Sequence, residues 1–148
     1  GYYQPQDRAK RIVELLEQKD DFTKEDVAKM MFDVKSSTVS DIANDLLKNV
    51  DQSKFSVSEK KAVETLENWD GTYLKNSVGA TIYNRFLYEF LKSTYKDELG
   101  TSFDLFINTQ LQSQALPIQI NRKQSVWWDD ITTTSKVENS AEIILKSF

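Results

Sequence analysis

Apolar residues recur three and four positions apart along most of the chain, the spacing that predicts helices with one buried face. From Gln6 to Lys19 they fall at Ala9, Ile12, Val13, Leu15 and Leu16. After the break DDFTKED, Thr23 is placed as an N-cap, with Glu25 and Asp26 in the first turn of the next helix. A long helical pattern then runs through Val27, Met30, Met31, Val34, Ile42, Leu46, Leu47 and Val50. The polar run KSSTVS in its middle predicts a kink, because Ser and Thr side chains compete for backbone hydrogen bonds. Met30 and Met31 read as core filler.

The segment FSVSEKKAVETLENWDG opens with a Ser56/Glu59 capping box and stops at Trp69, Asp70 and Gly71, where Gly71 suits a left-handed turn. Ser77 caps the most apolar segment, with Val78, Ile82, Phe86, Leu87, Phe90 and Leu91, which belongs at the centre of the fold. A turn at Gly100 leads to a short helix with Phe103, Phe106, Ile107 and Leu111. QALPIQINRKQSVWWDDITTTSK has no sustained period and contains Pro117. It reads as an irregular connection with IQI as a short strand. Ser135 and Glu138 have capping-box spacing ahead of a closing helix with Val137, Ala141, Ile144, Leu145 and Phe148. The expectation is an all-α fold, an irregular bundle of five or six helices, forming a single helical domain over residues 1–148.

Composition narrows the chemistry. Four glycines and two prolines in 148 residues leave few helix breakers, and 39% hydrophobic residues suffice for a core. A net charge of −4 argues against nucleic acid as the main partner. No apolar run reaches the ~18 residues of a membrane span, and no secretory leader pattern is present. The chain opens on Gly1 rather than Met, which suggests a processed or excised piece. There is no cysteine and no histidine, so thiolate chemistry is excluded and so is a histidine-based serine triad. The pairs Asp20–Asp21 and Asp129–Asp130 are adjacent in sequence and diverge, making poor acid–base dyads; they read as caps and solvated faces. Asp129, Asp130 and Thr132 could be combined into a hard-cation site, but their spacing is not that of a calcium loop. The residues indicate no catalytic group, no metal site and no cofactor within the chain.

The first helix poses a puzzle. Arg8, Lys10 and Arg11 crowd an N-terminus, where the helix dipole disfavours cations; only Asp7 has the favourable sign. Either something outside the helix takes up one of these guanidinium groups, or Arg8 forms an ordinary surface pair with Asp7 or a loop carboxylate.

Five landmarks in order carry a family resemblance: DRAKRIVELL (7–16), FTKEDVAKMMFDVKSS (22–37), LENWDG (66–71), NSVGATIYNRF (76–86) and VWWDD (126–130). Together they resemble the helical part of the β-subunit of penicillin acylases, a family of N-terminal-nucleophile hydrolases. The resemblance implies a segment of a larger α+β enzyme. In that enzyme an N-terminal serine, freed by autocatalytic cleavage, attacks acyl amides such as penicillins, cephalosporins or acyl-homoserine lactones. The serine's own α-amine acts as base, and an asparagine with backbone N–H groups binds the oxyanion. Serine and asparagine would both lie outside this chain, since Gly1 is no nucleophile and the asparagine precedes the region of Tyr2–Tyr3. Any calcium ligands would lie outside it as well. The position carried over is Arg8, matching the family's arginine beside the substrate pocket; Arg11 is expected to be structural. The family often has an aromatic residue where Asp7 stands. Trp69, Asp70, Trp127 and Trp128 are expected to be packing landmarks, with Asp70 accepting N–H bonds in its turn. The implied partners are the remaining α- and β-subunit parts and a small acyl-amide substrate, in a periplasmic or secreted setting. The competing expectation is a non-enzymatic interaction module that docks a partner through its closing helix, Val137 to Phe148.

Overall fold

The computed structural model describes residues 7–148, so Gly1 and Tyr2–Tyr3 lie outside the described residues. Among the described residues eight α-helices follow one another: α1 (Asp7–Leu16), α2 (Lys24–Met31), α3 (Val39–Leu47), α4 (Val57–Glu67), α5 (Val78–Leu99), α6 (Phe103–Ile107), α7 (Leu111–Ile120) and α8 (Ser140–Lys146). Among the described residues there is no β-strand, and one isolated antiparallel bridge joins Lys35 to Thr72. The fold is all-α. The expected count of five or six is close; the further helices come from the split of the long second pattern into α2 and α3 and from α7.

Side-chain caps fix several helix starts. Thr23 accepts from the Asp26 N–H while Asp26 accepts from the Thr23 N–H, and Ser56 and Glu59 do the same for α4. The Ser77 hydroxyl accepts from Ala80 N–H at 3.2 Å and starts α5. At α8 the reciprocal pair is Asn139/Glu142, four residues beyond the expected Ser135/Glu138. Glu138 instead accepts from Asp130 N–H and the Thr133 hydroxyl, tying down the preceding loop. Val137, expected in the closing stripe, therefore lies outside α8 and is exposed.

The 22-residue α5 runs through the core, with Phe86, Phe90, Leu91 and Tyr95 buried. It packs on α4, α6 and α8, while α3 packs on α4 and α7. Leu46, Leu66, Phe103, Ile143 and Ile144 fill the space between them. Phe148 closes one end, its ring 4.2 Å from that of Phe86 and 5.0 Å from that of Phe55. The apolar stripe of α8 is thus consumed within the domain.

Three sequence expectations fail for tertiary reasons. The long second pattern is not one kinked helix: residues between α2 and α3 leave helical geometry and pair with the Trp69–Asp70–Gly71 turn. Ser36 N–H donates to Gly71 O and Tyr73 N–H to Val34 O, each at 3.0 Å. Residues 111–120 are helical, not irregular or strand-like, although Pro117 removes one backbone donor. Burial of Leu116 and Gln119 against the core holds that helix. Nor is Met31 core filler. It is 77% exposed, because α1 and α2 contribute no buried residue and stand outside the main bundle.

The Gly71 turn is sterically closed to other residues. Its φ is +84°, and a Cβ would sit 2.3 Å from Ser36 O. At Gly79 a Cβ would meet the Trp69 ring at 2.5 Å, so the start of α5 can approach that indole only through glycine. Gly71→Ala is expected to destabilise the domain by about 2 kcal/mol, lowering Tm by roughly 4–8 °C in a thermal melt. An unchanged melt would mean that the turn is not pinned to the α2–α3 connection.

Candidate functional site

The cations at the start of α1 meet the C-terminal end of α2. Arg8 donates from Nη2 to Met30 O at 2.8 Å and from Nη1 to Asp33 O at 3.3 Å, with Asp33 Oδ1 3.9 Å away. Arg11 forks onto the same Asp33, Nε to Oδ1 at 3.0 Å and Nη2 to Oδ2 at 2.8 Å, and reaches Glu14 at 3.3 Å. The charges that oppose the dipole of α1 therefore complement the carbonyl end of α2. Asp7 works in the other direction. Its Oδ1 accepts from the Ser36 hydroxyl, the Thr38 hydroxyl and the Thr38 N–H. Glu14 accepts from the Ser37 hydroxyl at 2.5 Å, and Lys10 donates to Ser37 O at 3.1 Å.

This polar clasp fixes α1 to residues 30–38. The Arg11 hydrogen bonds hold Asp33 below the usual carboxylate range, and Asp33 in turn pushes the Arg11 guanidinium up. The two arginines differ in access: the Arg11 side chain is 14% exposed, that of Arg8 49%. Among the described residues, two of the five N–H donors of the Arg8 guanidinium have acceptors. Beside it, a shallow groove of about 220 Å³ lies between α1 and α2, lined by Leu15, Phe22, Lys29, Met30 and Asp33 among others. The Asp26 carboxylate on this groove is paired with Lys19.

The clasp continues into the tryptophan turn. Asp70 accepts from Thr72 N–H at 3.0 Å and from the Thr72 hydroxyl at 2.9 Å, and Lys35 reaches it at 3.1 Å. Those bonds lower its pKa, the Thr72 hydroxyl contributing most. The Trp69 indole N–H donates to Thr72 O at 3.0 Å, and the ring packs on Tyr73 and Tyr83. Trp128 is buried, with its N–H on Arg122 O at 2.8 Å, and Trp127 packs on Tyr95. Asp129, Asp130 and Thr132 do not converge on a common point: Asp129 accepts from Glu138 N–H, and Asp130 accepts from Thr132 and Lys146. Among the described residues no group of three acidic side chains is placed to hold a metal ion.

Sequence reading missed Glu98. Its Oε2 is buried with no hydrogen-bond partner among the described residues, and its pKa is pushed up to about 7 by burial first, then by Asp97 alongside and by Asp129. Two adjacent acids on a core helix hint at such a clash, but the approach of Asp129 depends on the fold. Glu98 lines neither of the two grooves described in this structure.

The all-helical domain thus places one covered and one half-exposed arginine at the end of α2, and the chain contains neither histidine nor cysteine. The family model for penicillin amidase matches residues 1–148, the entire chain, so the chain belongs to that family of acylase-type hydrolases. No curated protein and no solved structure matches it.

Glu98 gives the domain a characteristic pH response. The folded state holds this proton up to about pH 7, whereas the unfolded chain releases it near 4.5. The contribution to stability is therefore full below the unfolded value and is lost as pH rises towards 7. Urea midpoints measured from pH 5 to 7.5 should fall more steeply for the native sequence than for Glu98→Gln. Parallel profiles would show that Glu98 titrates normally.

Proposed function

We propose that this chain is the helical domain of a penicillin-acylase-type amidohydrolase, inactive alone, which presents Arg8 to a substrate held by a nucleophile elsewhere in the enzyme. The observation that carries the reading is the family match over the whole chain. Consistent with it, the chain has no histidine or cysteine to serve as base or thiol nucleophile. In the complete enzyme an N-terminal serine, activated by its own α-amine, attacks the amide carbonyl of penicillin, cephalosporin or acyl-homoserine lactone substrates. Arg8 supplies positive charge for a substrate carboxylate or for negative charge developing at the reacting centre. Its half-exposed guanidinium favours that role over a purely structural one. Arg11 is the structural arginine, because it is mostly covered and forked onto Asp33.

The enzyme acts in the periplasm or outside the cell, with any calcium bound by residues beyond this chain. The rest of its α- and β-subunits cover the exposed apolar residues of α1, α2 and their connection, including Ile12, Val13, Leu16, Val27 and Phe32, the last of these 82% exposed. Those same residues are what a stand-alone interaction module would use, now that α8 is committed to the core. The flanking coding sequence separates the two readings: a serine-led segment upstream favours the enzyme.

In the full-length enzyme, Arg8→Ala should lower kcat/KM on acyl amides at least ~10-fold, equivalent to about 1.4 kcal/mol of transition-state stabilisation. Autocatalytic processing should be retained. A lowered Tm with unchanged kcat/KM would reduce Arg8 to a cap on α2. Absence of any amide hydrolysis by the native full-length protein would remove the enzyme assignment.

A further inference from the structure

A second groove lies on the far part of the domain, between α5, α6, α7 and the short turn at Val126–Trp128. Its volume is about 440 Å³, within the range of small-molecule sites. None of its described lining residues belongs to α1 or α2. One wall is aromatic: the Tyr95 ring packs 5.0 Å from Phe106 and 5.1 Å from Trp127. Ile118 and Leu111 complete an apolar body, and both are exposed.

The polar side chains on this groove are Arg122, Gln114, Gln119 and the Tyr95 phenol. Among the described residues Arg122 is the only charged one that lines it, in a chain of net charge −4, and none of the described lining residues is a carboxylate. Among the described residues Arg122 makes no side-chain hydrogen bond or ion pair, whereas Arg8, Arg11 and Arg85 all do. Gln119 is only 3% exposed. Its Oε1 accepts from the Ser125 hydroxyl at 3.2 Å, and its Nε2 is buried with no acceptor among the described residues. A buried amide donor of this sort is normally paired, so its orphan state marks a missing acceptor. The field of Arg122 also reaches the Tyr95 phenol, partly offsetting the burial that pushes its pKa up.

We infer that this groove binds a small amphipathic carboxylate, with its apolar body against Tyr95, Phe106 and Trp127 and its carboxylate shared between Arg122 and the Gln119 amide. One cation and one unmatched amide NH2 suit a monoanion. A phosphate dianion would find too few donors, and a neutral apolar ligand would leave both donors unanswered. An arginine–carboxylate pair beside an apolar wall gives both orientation and selectivity.

The test uses the full chain, octanoate as probe and 1-octanol as its neutral counterpart, with Trp127 fluorescence and isothermal titration as readouts. Octanoate should bind saturably at one site, at least ~10-fold tighter than octanol. The exposed-site variant Arg122→Gln should lose that preference while its melt stays native, and Ala115→Phe, which fills the groove, should abolish binding of both. Equal affinity for the two probes, or undiminished octanoate binding by Arg122→Gln, would overturn the inference in favour of a merely apolar groove. Self-association that protects Trp127 and is unaffected by octanoate would overturn it in favour of a second copy as the occupant.

Discussion

The fork of Arg11 onto Asp33 is the interaction on which the outer part of this domain depends. A ten-residue helix with no buried side chain has little reason to persist in water. α1 persists here because its charged residues, not its apolar ones, are matched by the segment that follows α2. Asp33 is the hub: it receives Arg11 through both oxygens, accepts the Lys35 N–H at 3.2 Å, and lies within 3.9 Å of Arg8. An ion pair of this geometry, partly shielded and supported by further hydrogen bonds, is worth more than an isolated surface pair. It also resolves the clash between the cations and the dipole of their own helix, by lending them to the opposite end of another.

The hub links places far apart in sequence. Residues 33–38 are held by α1 on one side and by the Trp69–Gly71 turn on the other, and Trp69 in turn packs against the start of α5. The edge carrying Arg8 is therefore referenced to the core through a chain of backbone hydrogen bonds and one close indole contact. Under the proposed function, such a reference is what an arginine needs if it is to meet a substrate held by another part of the enzyme, because small displacements of a charge-bearing group are costly to catalysis. The apolar residues left open on α1 and α2 fit the same picture, since they are neighbours of the clasp.

Local signals in the sequence were legible where the cause is local. The Thr23, Ser56 and Ser77 caps, the left-handed Gly71 and the central apolar helix all follow from a few neighbouring residues. What could not be seen was decided at a distance. The break between α2 and α3 exists because residues 34–36 pair with the Gly71 turn, and nothing in KSSTVS announces that partner. α7 continues through Pro117 because Leu116 and Gln119 are buried against the core. Apolar periodicity placed Met31 inside, yet periodicity identifies a face and not what covers it. For the site, the charge pattern of α1 pointed to an external acceptor, and five ordered motifs pointed to the family; the identity of the acceptor, Asp33 with the end of α2, required the fold. Glu98 was invisible for the same reason.

Native-state hydrogen exchange of α1 amides, compared between the native sequence and Asp33→Asn, tests the central claim most directly. If the clasp holds α1, its amides open at a free energy well below that of α5, and Asp33→Asn abolishes their protection while leaving α5 amides unchanged. Protection of α1 equal to that of α5, and unaltered by Asp33→Asn, would contradict the account.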